Sequence, residues 1–131
     1  MRTPLFLMIV ITLFSSCSKN ESQPAPTGKD VAYDCKCTPA PGAVVTGAIT
    51  YTTPTSSTNT ASLANNVWIY NKDNWDLKPG NKLAVTMSVT GSSNCRVAIT
   101  IDGAVAAYES KGVISTTQTP TYSITAEYVV Q

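Results

Sequence analysis

The chain has 131 residues, nine Lys/Arg against eight Asp/Glu, no histidine and only 13% charged residues. This length fits one domain, and so even a charge excludes a nucleic-acid partner, whose phosphates need a basic face. The missing histidine removes the commonest general base, the Ser-His-Asp arrangement and the usual zinc site.

The first elements in chain order are a charged start, Met1-Arg2, then the apolar run Leu5 to Phe14, then Ser15-Ser16-Cys17. Ten mostly apolar residues are too few to span a bilayer, which needs ~20. With small residues at the cut site, they read as a secretory signal peptide over residues 1–16. A cysteine directly after those small residues resembles the lipobox of bacterial lipoproteins. The resemblance implies that Cys17 becomes the acylated amino terminus of the mature chain, and that a lipid anchor makes the membrane its first partner. It implies export and attachment to a bacterial membrane, here expected to be the outer one. Some lipoproteins of Bacteroidetes-type bacteria are routed to the cell surface by acidic residues after the cysteine. Here Glu21 alone stands in that place, which leaves the leaflet open.

Loss of Arg2 with the leader leaves eight bases and eight acids in the mature chain. That balance argues against electrostatic docking onto acidic lipid. Residues 17–30 continue as SKNESQPAPTGKD after the cysteine, with two prolines and no large apolar side chain. Such a segment buries too little surface to order itself and reads as a flexible tether.

The folded domain is expected over residues 31–131, where the hydrophobic period becomes two. Leu83, Val85, Met87 and Val89 alternate with Lys82, Ala84, Thr86, Ser88 and Thr90. Cys95, Val97, Ile99 and Ile101 repeat the pattern, and so do Tyr122, Ile124, Ala126, Tyr128 and Val130. Alternation of this kind marks half-buried strands. Weaker strands are expected over 31–37, 45–52, 66–71 and 104–109. Pro79-Gly80 suits a type II turn, and Asp102-Gly103 a two-residue hairpin. Gly91 to Asn94 is expected to close another hairpin, and Thr52 to Ser62 to form a polar loop. About seven antiparallel strands predict an all-β fold, an immunoglobulin-like β-sandwich.

Within this pattern, Trp75-x-Leu77-x-Pro79-Gly80-x-x-Leu83 precedes the Val85/Met87/Val89 strand. Val97-x-Ile99-x-Ile101-Asp102-Gly103 follows it. Together they resemble the MmpS-type proteins and their bacterial relatives over about residues 45 to 112. The resemblance implies a small β-sandwich that assists an envelope exporter through contact with another envelope protein. It marks no catalytic residues. The chain differs from the mycobacterial members in having a lipid signal where they have a membrane helix.

Side chains with chemistry are few. Cys35, Cys37 and Cys95 are all placed on core faces of their strands, and an exported compartment permits oxidation. Cys95 bridged to Cys35 or Cys37 would close a loop of about 60 residues, worth ~4 kcal/mol in the chain-entropy model. A Cys35–Cys37 bridge is disfavoured by the separation of residues two apart in a strand. Three thiolates on a soft metal are a further possibility that lacks a fourth ligand.

Asn71, Asp73, Asn74 and Asp76 have the oxygen ligands of a calcium loop but not its spacing, glycine or glutamate. They read instead as a polar turn before a core Trp75. No metal and no cofactor is expected. Trp68 and Tyr70 share one face of their strand opposite Val67 and Ile69. If theirs is the less buried face, they form a platform for a glycan ring or a partner protein; packing against a second layer is the plainer reading. The expected function is a non-catalytic accessory or interaction module, with carbohydrate or small-molecule binding as the alternative.

Overall fold

Polar and apolar side chains alternate along the strongest of the eight strands in the computed structural model, which describes residues 28–55 and 57–131. The leader, Cys17 and nearly all of the tether lie outside the described residues. The strands are β1 (Lys29–Pro39), β2 (Thr46–Thr52), β3 (Thr58–Ser62), β4 (Val67–Trp75), β5 (Lys82–Thr90), β6 (Ser93–Ile101), β7 (Ala104–Val113) and β8 (Thr121–Val129). Two antiparallel four-stranded sheets result, in the orders β4-β1-β6-β7 and β3-β2-β5-β8. The fold is an all-β sandwich, and no helix occurs among the described residues.

The core is the inward set that the period of two selects. Val31, Tyr33 and Cys35 of β1 meet Ile49 of β2, Leu83 to Val89 of β5 and Val97 and Ile99 of β6. Tyr122, Ile124 and Ala126 of β8 complete it. Burying each large aliphatic side chain contributes ~1.5–3 kcal/mol, and this term drives the two sheets together. Along one side of the sandwich β7 approaches β8 across the gap between sheets.

Three boundaries differ from expectation. Thr58–Ser62 is an edge strand paired with β2, not part of a loop. Its sequence TNTAS has one apolar residue, Ala61, opposite buried Ile49. An edge strand that contributes so little to the core shows almost no alternation. Residues 71–75 likewise continue β4 instead of forming a turn, because their backbone pairs with Lys29 to Ala32 of β1. That pairing also starts the domain at Lys29, two residues ahead of the expected boundary.

Gly91 to Asn94 closes no hairpin. β5 and β6 belong to different sheets, so Gly91-Ser92 carries the chain from one sheet to the other. Gly91 has φ +122°, and a Cβ there would run into the Val44 carbonyl oxygen. A side chain at this crossing would break the close approach.

The other two turns form as their sequences demand. Asn81 N–H donates to the Lys78 carbonyl at 2.9 Å around Pro79-Gly80, with Gly80 at φ +88°. Asp102 and Gly103 both have positive φ (50° and 78°), as a type I′ hairpin requires. Asp102 also clamps the start of β1. Its carboxylate takes Lys29 Nζ at 2.7 Å and the Asp30 N–H at 3.0 Å. The hydrogen bond from Lys29 holds the Asp102 carboxyl below its ordinary range, and the same bond raises Lys29.

Candidate functional site

The cysteines sit where β1 and β6 run side by side. Cys37 is the direct cross-strand partner of Cys95, whereas Cys35 faces Val97. Cys37 and Cys95 form the disulfide, with Cα atoms 4.0 Å apart and a sequence separation of 58. Tyr122 packs its hydroxyl against this bridge. It lies 3.2 Å from Cys95 Sγ, donates to the Ser93 carbonyl at 2.9 Å and contacts Ser93 Oγ at 2.7 Å. Met87 brings its sulfur to 3.9 Å from Cys37 Sγ.

Cys35 is left as a buried free thiol. Burial, with a smaller contribution from the Asp34 carboxylate, pushes it up to about 12. Since the thiolate is the reactive and metal-binding form, Cys35 acts as core packing. Among the described residues no group of three or more His, Cys, Asp or Glu is placed to hold a metal ion.

Trp68 and Tyr70 do not occupy the outward face of β4, so the ligand platform is corrected and packing against the second layer, the plainer of the two readings, is what the structure has. Trp68 is the register partner of Cys35 and Tyr70 of Tyr33, so both point inward with the core. Ile69 is the outward residue, 55% exposed. The inward pair meets Tyr51 from the opposite sheet, with ring centroids 4.7 Å from Trp68 and 4.9 Å from Tyr70. Tyr33 stacks on Tyr70 at 5.8 Å and meets the Trp75 edge at 6.5 Å. At this side of the sandwich, aromatic rings fill the gap between β4 and β2. The reason is geometric: β4 and β3 are the outermost strands here, and large rings are needed to bridge the ~10 Å between sheets. Trp75 is buried, as its alternation with Leu77 predicts.

The outer faces of the two sheets are chemically unlike. Across β3-β2-β5-β8 the registers align Thr60, Thr50, Thr86 and Thr125 in one row. The next row is Ser62, Ala48, Ser88 and Ser123. Hydroxyls of facing pairs bond to each other, Thr86 to Thr125 at 2.9 Å and Ser88 to Ser123 at 3.2 Å. This face is a solvated hydroxyl lattice, its charges confined to the Lys82–Glu127 pair at one end.

The outer face of β4-β1-β6-β7 mixes apolar and charged side chains. One row is Ile69, Asp34, Ala98 and Tyr108, and the next is Val67, Lys36, Arg96 and Ser110. Val105, beside Thr100, extends the apolar part. Tyr108 is 51% and Val105 65% exposed. A notch of about 270 Å³ opens among Lys36, Thr38, Asn94, Arg96, Tyr108 and Ser110. This face was not identified from sequence, because it depends on which strands become neighbours, and for the same reason alternation left the inward position of Trp68 and Tyr70 as one of two readings. No family model matches the chain, and no curated protein or solved structure does.

Proposed function

We propose that this protein is a lipid-anchored, non-catalytic interaction module of the bacterial cell envelope. It engages a second envelope protein through the outer face of β4-β1-β6-β7. The contrast between the two outer faces carries this reading. One is a hydroxyl lattice suited to water. The other presents Ile69, Tyr108 and Val105 around Arg96 and Lys36. Exposed aromatic, aliphatic and arginine side chains in one patch are the composition that interfaces favour. The signal segment ending at Cys17 supplies the membrane attachment, and residues 18–28 the reach. The MmpS-type resemblance supports an accessory role beside an envelope transporter.

A photo-crosslinking amino acid at Tyr108 should capture one discrete partner in cells, and the same group at Ser123 none. Capture at both positions alike, or at neither, would remove the assignment of this face. The anchor is tested separately. Cys17→Ser should abolish acyl incorporation and release the protein from the membrane fraction or leave it unprocessed. A wild-type mature chain that begins at Cys17 and carries no added lipid mass would end the lipoprotein reading.

A further inference from the structure

Lys36 and Arg96 are direct register partners on neighbouring antiparallel strands, with both side chains on the outer face. Like charges placed directly opposite each other in a sheet repel. A chain with a near-zero net charge has no general need of such a pair. Among the described residues, Lys36 has no ion-pair partner, and Arg96 has Asp34 alone. Asp34 lies one row away, opposite Ala98. Its Oδ1 stands 3.6 Å from Arg96 Nη2, which is too long for a hydrogen bond, and this buried oxygen accepts none. Asp34 therefore offsets part of the guanidinium charge but leaves its N–H fork without a hydrogen bond.

The two cations open into the notch, which Thr38, Asn94, Cys95, Tyr108 and Ser110 complete. Thr38, Ser110 and Asn94 supply hydroxyl and amide groups, and Tyr108 supplies a half-exposed ring. At about 270 Å³ the space is just under the ~300–1,000 Å³ of sites for drug-sized ligands. It suits a single ring rather than a folded segment. Paired cations call for an anion, and an arginine fork fits a carboxylate in two-point contact. Neutral donors and acceptors call for hydroxyls, and the tyrosine ring for a flat apolar face to pack on. A sugar ring that bears a carboxylate combines all three.

We infer that the Lys36–Arg96 notch is a binding site for an acidic saccharide of the uronic-acid type. The carboxylate sits between Lys36 Nζ and the Arg96 guanidinium, the ring lies against Tyr108, and Asn94, Thr38 and Ser110 meet the hydroxyls. This site goes beyond the protein-interaction reading and does not depend on it. The notch shares Lys36, Arg96 and Tyr108 with the proposed interface, and its ligand can be tested with no partner protein present.

The test titrates the full chain, purified in detergent, with three probes: an oligogalacturonate, its fully methyl-esterified form and a poly-glutamate peptide of equal charge. The oligogalacturonate should bind, weaken as salt rises and bind at least about tenfold more tightly than the neutral ester. Lys36→Gln and Arg96→Gln should each weaken it about tenfold or more. Lys82→Gln, on the other sheet, should leave it unchanged. Lys36→Gln should melt no lower than wild type, because it removes the like-charge pair and breaks no ion pair, so its loss of affinity will not reflect unfolding; Arg96→Gln also takes the cation from Asp34 and should melt lower. Tyr108→Ala should weaken the saccharide and leave any poly-glutamate binding unaltered. No binding of the uronate up to millimolar concentration, or binding indifferent to both notch variants, would overturn the site. Equal affinity for poly-glutamate would overturn the saccharide assignment and point to an acidic peptide instead. Either result leaves the crosslinking test at Tyr108 to judge the protein partner independently.

Discussion

Cys95→Ala should lower the unfolding free energy by ~4 kcal/mol, the chain-entropy value for a bridge that spans 58 positions. Cys37→Ala should cost the same, and the double variant hardly more than either single one. Two residues that act only through their common bond are not additive. Wild type in reductant should fall by a similar amount, while the variants should not respond to it. Cys35→Ala gives the contrast. It keeps the bridge, removes one fully buried sulfur and should cost ~1–2 kcal/mol, the scale of a small core deletion. Denaturant unfolding measures these differences, and non-reducing peptide mapping should join the segment with Cys95 to Cys37. Three free thiols in protein isolated from the envelope would reduce the cluster to packing, and a Cys35–Cys95 link would mean a different β1–β6 register.

The choice between Cys35 and Cys37 shows what the sequence can and cannot specify. Alternation put all three cysteines on the core face, which needs only the period of two. Which cysteine faces Cys95 depends on how far β1 slides along β6, and nothing within either strand fixes that offset. Register is set by contacts between segments some 60 positions apart. The strands with strong alternation, β5, β6 and β8, and the turns at Pro79-Gly80 and Asp102-Gly103 were legible for the opposite reason: their signals are local.

β3 was hidden because an edge strand with one small apolar residue has nothing to alternate. The crossing at Gly91 carries the sequence signature of a hairpin because a short polar linker looks alike whether it reverses within a sheet or passes between two. The Lys36–Arg96 pair is the clearest case of a site made by pairing. Each cation alone is an ordinary solvent-facing residue of a strand, and only the register sets them side by side.

The same logic decides between the two readings of the aromatic residues. On an outward platform, Trp68 and Tyr70 would be free to change without harm to the fold. Inside the gap they are structural. Trp75→Ala should cost ~3–5 kcal/mol, as removal of a buried aromatic does. Trp68 and Tyr70 are half-buried, so each alanine variant should cost less than Trp75→Ala, about 1.5–3 kcal/mol.

Their effects should also be coupled. Tyr51 contacts both rings, and Trp68 and Tyr70 stack at 6.3 Å with an interplanar angle of 13°. Aromatic pairs contribute ~0.5–1.5 kcal/mol beyond burial, so a double-mutant cycle should show a term of that size. Tyr33 adds a second link, since its hydroxyl bonds Thr52 Oγ1 at 2.9 Å and so ties β1 to the other sheet. Ile69→Ala is the control on the outward side of the same strand and should change stability by no more than ~0.5 kcal/mol. If Trp68→Ala and Tyr70→Ala are as mild as Ile69→Ala, the inward assignment of β4 fails. The sandwich would then hold its two sheets together at this side without the aromatic fill, and the pair would return as a candidate binding surface.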